Sequence, residues 1–331
     1  LNSSRRGQWK KAFLSALVAV IAFAASEPVR AQAKYPDRPV RIVVPFAAGG
    51  IADITVRVVA DKLGDKLGQR FVVENVPGAG GIAAARAALS SPPDGHTLTL
   101  LTNGTAISVP LFKSLPFDPL KDFTPISTLG YFDFFFATNA DSQFASLADV
   151  LKFAREQPGK LNVGTIAVGS SQNLSAELFK STAGVNITIV PFRASPDVLV
   201  ALLRNDVHVI IDGFVAMKSA LGDRKIRAIA STGGSRSENL AAVPTVREAG
   251  VAGFEVTSWN GLFAPAGTPA EIVETLNRAL REIAQLPDVK KRLLDLGIDS
   301  KASTPAELSG RLRADIDKWG KVIERAGIPK Q

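Results

Sequence analysis

The chain contains no cysteine among its 331 residues. That absence excludes disulfides, thiol nucleophiles, cysteine-ligated metals and a lipid-modified N-terminal cysteine. It does not fix the compartment, because exported bacterial proteins often lack disulfides. Histidine is almost as scarce. His96 and His208 are the only two; they stand far apart without metal-ligand neighbours, so both read as structural or surface residues. No G-x-S-x-G nucleophile elbow occurs. The formal charge of +8 is not concentrated: five basic residues (Arg5, Arg6, Lys10, Lys11, Arg30) fall in the first 33 positions against Glu27. The remainder is mildly basic and lacks the clustered stripe of a nucleic-acid binder, so no nucleic acid is expected as partner. Beyond that opening segment no apolar run reaches the ~20 residues a membrane-spanning helix needs, and a soluble mature chain is expected. There is no short-period repeat and no low-complexity tract. Nothing calls for a metal or a cofactor.

What is present begins with an export signature. Arg5, Arg6, Lys10 and Lys11 form a positive n-region, residues 12–25 an apolar h-region, and Ala31-Gln32-Ala33 a small-x-small cleavage pattern. Residues 1–33 are therefore expected to be a signal peptide, with the mature chain starting at Lys34 in the periplasm. SRRGQWK partly resembles a twin-arginine signal, but Gln8 and Trp9 replace the bulky apolar pair expected there, which favours general secretion.

Strand and helix signals then alternate, the pattern of α/β units with parallel sheets. VRIVV is followed by PFAAGGIAD (45–53) and a helix whose Ile54, Val58, Val59 and Leu63 recur at helical spacing. RFVVEN, HTLTLLT, YFDFFFATN, LNVGTI, ITIVPF, VHVIIDG and IRAIAST read as further strands. HTLTLLT ends at Asn103-Gly104-Thr105 and is followed by a proline-rich crossing through Pro110, Pro116, Pro119 and Pro125. Ser146 reads as a helix N-cap, with Leu147, Val150, Leu151 and Ala154 as the inner stripe. Two C-terminal helices start at capping boxes, Thr268-Pro269-Ala270-Glu271 and Thr304-Pro305-Ala306-Glu307. The last one buries Leu308, Leu312, Ile316, Trp319 and Ile323 by period. The recurring strand–small-residue-turn–helix element suggests two similar lobes with a cleft between them.

Two such turns are candidate anion sites. In PFAAGGIAD, Gly49 and Gly50 permit positive φ and close backbone approach, and the helix start offers unpaired N–H groups. The same residues read equally well as a tight turn in which Asp53 caps its helix. In VGSSQN (168–173), Ser170 and Ser171 offer hydroxyls and amides, or simply N-cap the next helix. GAGGIA (78–83) fits a dinucleotide fingerprint, but no acidic residue follows at a strand end about 20 positions on, and Asp94 lies in a proline turn. Asp53 and Asp212 both follow strand signals and are the one candidate acid/base pair, with capping or ligand orientation as the preferred reading.

Taken together, YPDRPVRIVVPFAAGGIAD, FVVENVPGAGG, PDGHTL, LPFDPLKDFTPIS, ELFKSTAGV, VPTVREAG, SWNGLFAPAGTP and DKWGKVIERAGI strongly resemble the receptors of tripartite tricarboxylate transporters, the Bug or TctC family. The blocks are collinear and cover essentially the whole mature chain. The resemblance implies an α/β fold of two Rossmann-like lobes closing on a central cleft, the periplasmic-binding-protein type II flytrap. One lobe would comprise 34–134 plus 257–331 and the other 135–256. It implies a monomeric receptor, not an enzyme, that hands a small carboxylate (a dicarboxylate, an acidic amino acid or an aromatic acid) to integral-membrane transporter subunits. The residues it places at the ligand are Phe46, Ala47, Ala48, Gly49, Gly50, Ile51 and Asp53 on the first turn, and Asn103 and Thr105 after the third strand. From the other lobe come Gly169, Ser170, Ser171, Asn173, Phe192, Arg193 and Asp212. The chain departs from the family pattern within these loops: Ala48 replaces a proline, Ala52 a hydroxyl residue, Asn173 a histidine, Arg193 a lysine and Gly213 an asparagine. Arg193 reads either as a bidentate grip on a second carboxylate or as a rim charge. A sensor for a membrane signalling partner, or an exported enzyme using Asp53 and Asp212, are the alternative readings.

Overall fold

Short β-branched runs become strands, and the amphipathic runs between them become helices, in a computed structural model that describes residues 35–331. The expected signal peptide lies outside the described residues. Arg38–Gln331 forms one compact unit, and the fold is that of this unit. It opens with β1 (Val40–Val44), α1 (Ile51–Leu67), β2 (Phe71–Asn75), α2 (Ile82–Leu89), β3 (Thr97–Thr102) and α3 (Asn103–Leu111). A long β4 (Phe123–Asn139) leads to α4 (Leu147–Glu156), β5 (Asn162–Ile166), α5 (Ser171–Ala183), β6 (Thr188–Phe192), α6 (Ser195–Leu203), β7 (Val209–Gly213), α7 (Phe214–Gly222) and β8 (Ile226–Ser231). The chain closes with β9 (Thr257–Pro265), α8 (Ala270–Ile283), α9 (Pro287–Leu294) and α10 (Pro305–Ala326).

The strands form one curled sheet in the order β2-β1-β3-β9-β4-β7-β5-β6, with β8 also on β4. The βαβ units are parallel, as the alternation predicts: β1 pairs with β2 and β3, and β5 with β6 and β7. β9 and β4 run antiparallel to their neighbours, so the sheet is mixed. β4 changes partners along its length. Phe123 to Asp133 face β9, whereas Phe134 to Asn139 face β7 and β8. The period of two then divides its side chains. Phe134 and Phe136 join a core with Phe179, Phe254, Trp259 and Trp319, while Phe135 and Ala137 join Val198, Leu202, Ile210 and Met217.

Several sequence expectations need correction. The proline-rich crossing after β3 begins with a helix, Asn103–Leu111, in whose last turn Pro110 removes one amide donor. YFDFFFATN is the second half of one 17-residue strand, because Pro125 sits at a register shift and does not break it. The C-terminal part holds three helices, since Pro287 opens the short α9. Thr268 does not cap α8; its hydroxyl donates to the Pro265 carbonyl (2.8 Å) and Pro269 occupies the N-cap. The other two starts match. Thr304 and Glu307 form a reciprocal box (3.2 and 2.8 Å), and Ser146 does the same with Asp149. α1 is buried more widely than its stripe: Val56 and Ala60 are inside along with Val58, Val59 and Leu63, and Ile54 is half-buried.

At the β4 partner switch, burial pushes the Asp133 carboxyl up to about 6, against a hydrogen bond from Thr257 Oγ1 (2.8 Å). Glu255 and Asp299 add to the rise and Arg311 opposes it. In the unfolded chain the group ionises near 3.9, so the folded form holds its proton longer. The stability this confers is full below about pH 4 and is lost as pH rises through about 6. Asp133→Asn should therefore stabilise the protein at neutral pH by up to about 2–3 kcal/mol, with the gain shrinking to nothing toward pH 4. Urea denaturation at both pH values checks this, and an equal effect at both would refute it. Separately, a Cβ on Gly130 would lie 2.6 Å from Ile298 Cγ2 and 3.0 Å from the Asp299 carbonyl. Gly130→Ala should cost about 1–3 kcal/mol through overpacking, read as a lower urea midpoint.

Candidate functional site

Each βα junction ends a buried strand and begins a helix, so the first amides of the helix have no intrahelical acceptor. α1 starts at Ile51 behind an N-cap Gly50 in extended conformation; the left-handed residue is Gly49, at φ +86°. Positive φ is thus needed at Gly49 and not at Gly50. Gly49 donates its N–H to Asp53 Oδ2 (2.8 Å), which folds the turn back onto the helix. Arg57 Nε donates to both Asp53 oxygens (3.0 Å each) and Asn75 Nδ2 to Oδ1 (2.9 Å). Asn75 also reaches the Phe46 carbonyl (3.0 Å). Burial pushes the Asp53 carboxyl up, but the bonds from Arg57, Gly49 and Asn75 outweigh it and hold the group below the usual carboxylate range.

The VGSSQN turn repeats this device residue for residue. Gly169 is left-handed at φ +81° and donates to Asn173 Oδ1 (3.1 Å), again four residues on. Asn173 Nδ2 is held by Thr165 Oγ1 (3.3 Å), and Ser170 caps the Asn173 N–H (3.1 Å). Asn173 and Asp53 are therefore equivalent inward-facing struts. Their turns leave the amides of Ile51 and Ala52, and of Ser171 and Gln172, as open helix-start donors. Thr105 is inward-facing too: it accepts from the Thr102 amide (3.2 Å) in the box that starts α3.

Direct contacts link four of these helix starts in succession. Asn103 at the head of α3 donates to Ser171 Oγ at the head of α5 (2.9 Å). Gln172 Nε2 donates to Asp212 Oδ1 at the end of β7 (3.1 Å). Gly213, at the head of α7, is so close to Ile51 at the head of α1 that a Cβ there would lie 3.4 Å from Ile51 Cδ1. The β6–α6 turn joins through Ser195, which hydrogen-bonds Asp212. Arg193 is exposed on that turn, while Phe192 is half-buried against Gly164 and the apolar cluster beneath. Ala47 and Ala48 are exposed, and Phe46 and Val168, on the two glycine turns, show 41% and 47% of their surface.

No hydrogen bond joins Asp53 to Asp212. Asp212 is 3% exposed and burial pushes its carboxyl up, against bonds from Ser195, Gln172 and the Gly213 amide. Both carboxylates are occupied in holding turns. His208 accepts the Asn162 amide at Nδ1 (3.0 Å) beside the Phe144 ring, and burial lowers its pKa. His96 is held by Asp94. The GAGGIA glycines serve a 3-10 turn, Gly80 and Gly81 both being left-handed. A groove of about 820 Å³ lies elsewhere, between Arg57, Gly64, Phe71 and Arg292. It mixes charges of both signs and has no converging helix starts, so the linked turns are the stronger candidate.

A family model described as "Tripartite tricarboxylate transporter family receptor" matches residues 55–328. The chain belongs to that receptor family. Among curated relatives, the protein BugT of Bordetella pertussis is 32% identical over 295 residues, covering 88% of this chain and 90% of that one. Among solved structures, the R. palustris protein Rpa4515 with adipate is 35% identical, with a TM-score of 0.79 over 89% of this chain and 99% of that one. MatC of Rhodopseudomonas palustris with bound malate is 35% identical, with a TM-score of 0.74 over 87% and 100%. The family is one of solute-binding receptors, and the mixed α/β fold is that of its periplasmic binding proteins. Among the described residues no helix is long and apolar enough to cross a membrane.

The residues that sequence reasoning passed over are the supports. Arg57, Asn75, Thr165 and Gln172 carry no motif of their own, and Trp319 reads only as core. A buried tryptophan must nevertheless place its N–H, and that was the available signal. Asp53→Asn, which removes the charge but keeps an acceptor, should cost about 1–2 kcal/mol at neutral pH. The native contribution is present above the unfolded pKa and is lost as pH falls through the lower folded value. The difference between variant and parent should accordingly close in acid, and a pH-independent difference in urea denaturation would contradict the network.

Proposed function

We propose that the chain is an exported receptor that captures a small carboxylate between the 46–53 and 169–173 turns and delivers it to a membrane transporter. The carrying observation is the pair of like-built helix starts before α1 and α5, with the head of α3 bonded to that of α5 through Asn103 and Ser171. A carboxylate there meets backbone donors on both sides. Hydrogen bonds to a charged group contribute about 1.5–3 kcal/mol each, and micromolar affinity needs about 8 kcal/mol, so roughly four to five donors suffice without a buried arginine. Phe46, Ala47, Ala48, Gly49, Gly50, Ile51, Ser170 and Ser171 line this site. Asp53, Thr105, Asn173 and Asp212 hold its shape, and Arg193 stands at the rim. The export signal read in residues 1–33 supports a periplasmic location for the receptor.

The two lobes of this reading are 34–134 plus 257–331 and 135–256. The exchange of β4 partners after Asp133 and the start of β9 at Thr257 support those bounds. Lobe closure is selected by contacts that the ligand makes to both turns. The adipate and malate held by the two solved relatives support a dicarboxylate over a monocarboxylate.

A thermal-shift and calorimetry panel of adipate, malate, glutamate and nicotinate tests the reading. At least one dicarboxylate should raise the melting temperature and bind at micromolar concentration. A folded protein indifferent to the whole panel would defeat the proposal.

A further inference from the structure

Asn103 stands between a group that can only donate and a group that can do either. The Trp319 indole N–H donates to Asn103 Oδ1 (2.7 Å), and Asn103 Nδ2 donates to Ser171 Oγ (2.9 Å). Trp319 and Asn103 are each 1% exposed, while Ser171 is half-buried at the start of α5. An indole nitrogen has no acceptor capacity, so it fixes which end of the amide faces it and leaves the NH2 end for Ser171. The Ser171 oxygen thereby receives a donor, and its one proton must point elsewhere. Each bond polarises the next, which strengthens the last donor in the chain. Trp319 lies on α10, remote in sequence from both turns.

We infer that Trp319 and Asn103 are positioning residues that fix Ser171 as a hydrogen-bond donor to the ligand. The inference rests on the ligand seat proposed between the two turns. It assigns a specificity to that seat: the atom facing Ser171 is an acceptor, such as a carboxylate oxygen. An ammonium or amide N–H there would face a donor and leave buried groups unpaired.

Adipate and malate binding by calorimetry tests this on the folded protein, with three variants. Trp319→Phe keeps the ring and deletes the donor; adipate or malate affinity should fall about tenfold, a loss of about 1.4 kcal/mol. Ser171→Ala should lose affinity in the parent but far less in the Trp319→Phe background, because the two act in series. Asn103→Asp accepts from both neighbours and so turns the Ser171 proton away from the ligand. Its binding should be weaker than that of Asn103→Ala at about pH 7.5 and recover as pH falls and the new carboxyl, raised by burial, gains a proton to donate. A purely structural Asn103 would give no such pH profile. If the parent binds neither probe nor any other member of the panel, the functional reading and this inference fall together. If the parent binds while Trp319→Phe and Asn103→Asp bind within twofold of it, only the inference falls.

Discussion

A helix begins with amides that its own backbone cannot satisfy, and this chain brings several such beginnings to one place. The turns before α1 and α5 answer the constraint in the same way: a left-handed glycine donates to a side chain four residues on, which locks the loop and leaves the next amides facing outward. Everything around the site follows from holding those loops still. Arg57 and Asn75 support Asp53, Thr165 supports Asn173, and Gln172 and Ser195 support Asp212. Electrostatic economy is visible here as well. The acidic strut, Asp53, is paired with Arg57, whereas its counterpart at 173 is an uncharged amide, so neither strut adds an unpaired negative charge to its helix start.

The fold was legible wherever a local rule sufficed. Alternating strand and helix signals gave the parallel units, and Ser146 and Thr304 marked helix starts by the spacing of their Asp149 and Glu307 partners. The failures came where a local rule was outvoted. Four prolines read as a crossing between strands, yet Pro110 lies within α3 and Pro125 at a register shift in β4. Thr268 matches a capping pattern, but its hydroxyl finds a nearer carbonyl. The glycine pair at 49 and 50 permits positive φ at either position, and only Gly49 adopts it.

The candidate site could be read from the sequence as a set of turns more than as an arrangement. Gly49, Ser170 and Ser171 could be singled out from glycine and serine at strand ends, and the family resemblance joined the two turns. Which side chains face inward could not be read from spacing. Asp53, Asn173 and Thr105 look like ligand contacts in the sequence and are supports in three dimensions, because their acceptors lie closest to amides of their own turns. Trp319 shows the opposite case: helical period assigns it to the core, where it is, but period says nothing of where an indole N–H points.

β4 ties the two halves together without a loop at the crossing, since one continuous strand changes partners between Asp133 and Phe134. Phe134 and Phe136 belong to one core and Phe135 and Ala137 to the other. A genetic crossover between two relatives inside this strand would graft the pleat of one onto the neighbours of another. A slip of one residue would send the aromatic trio to the wrong faces. Any segment exchanged with a related chain must therefore carry this strand whole, together with both sets of neighbours that its alternate side chains fill.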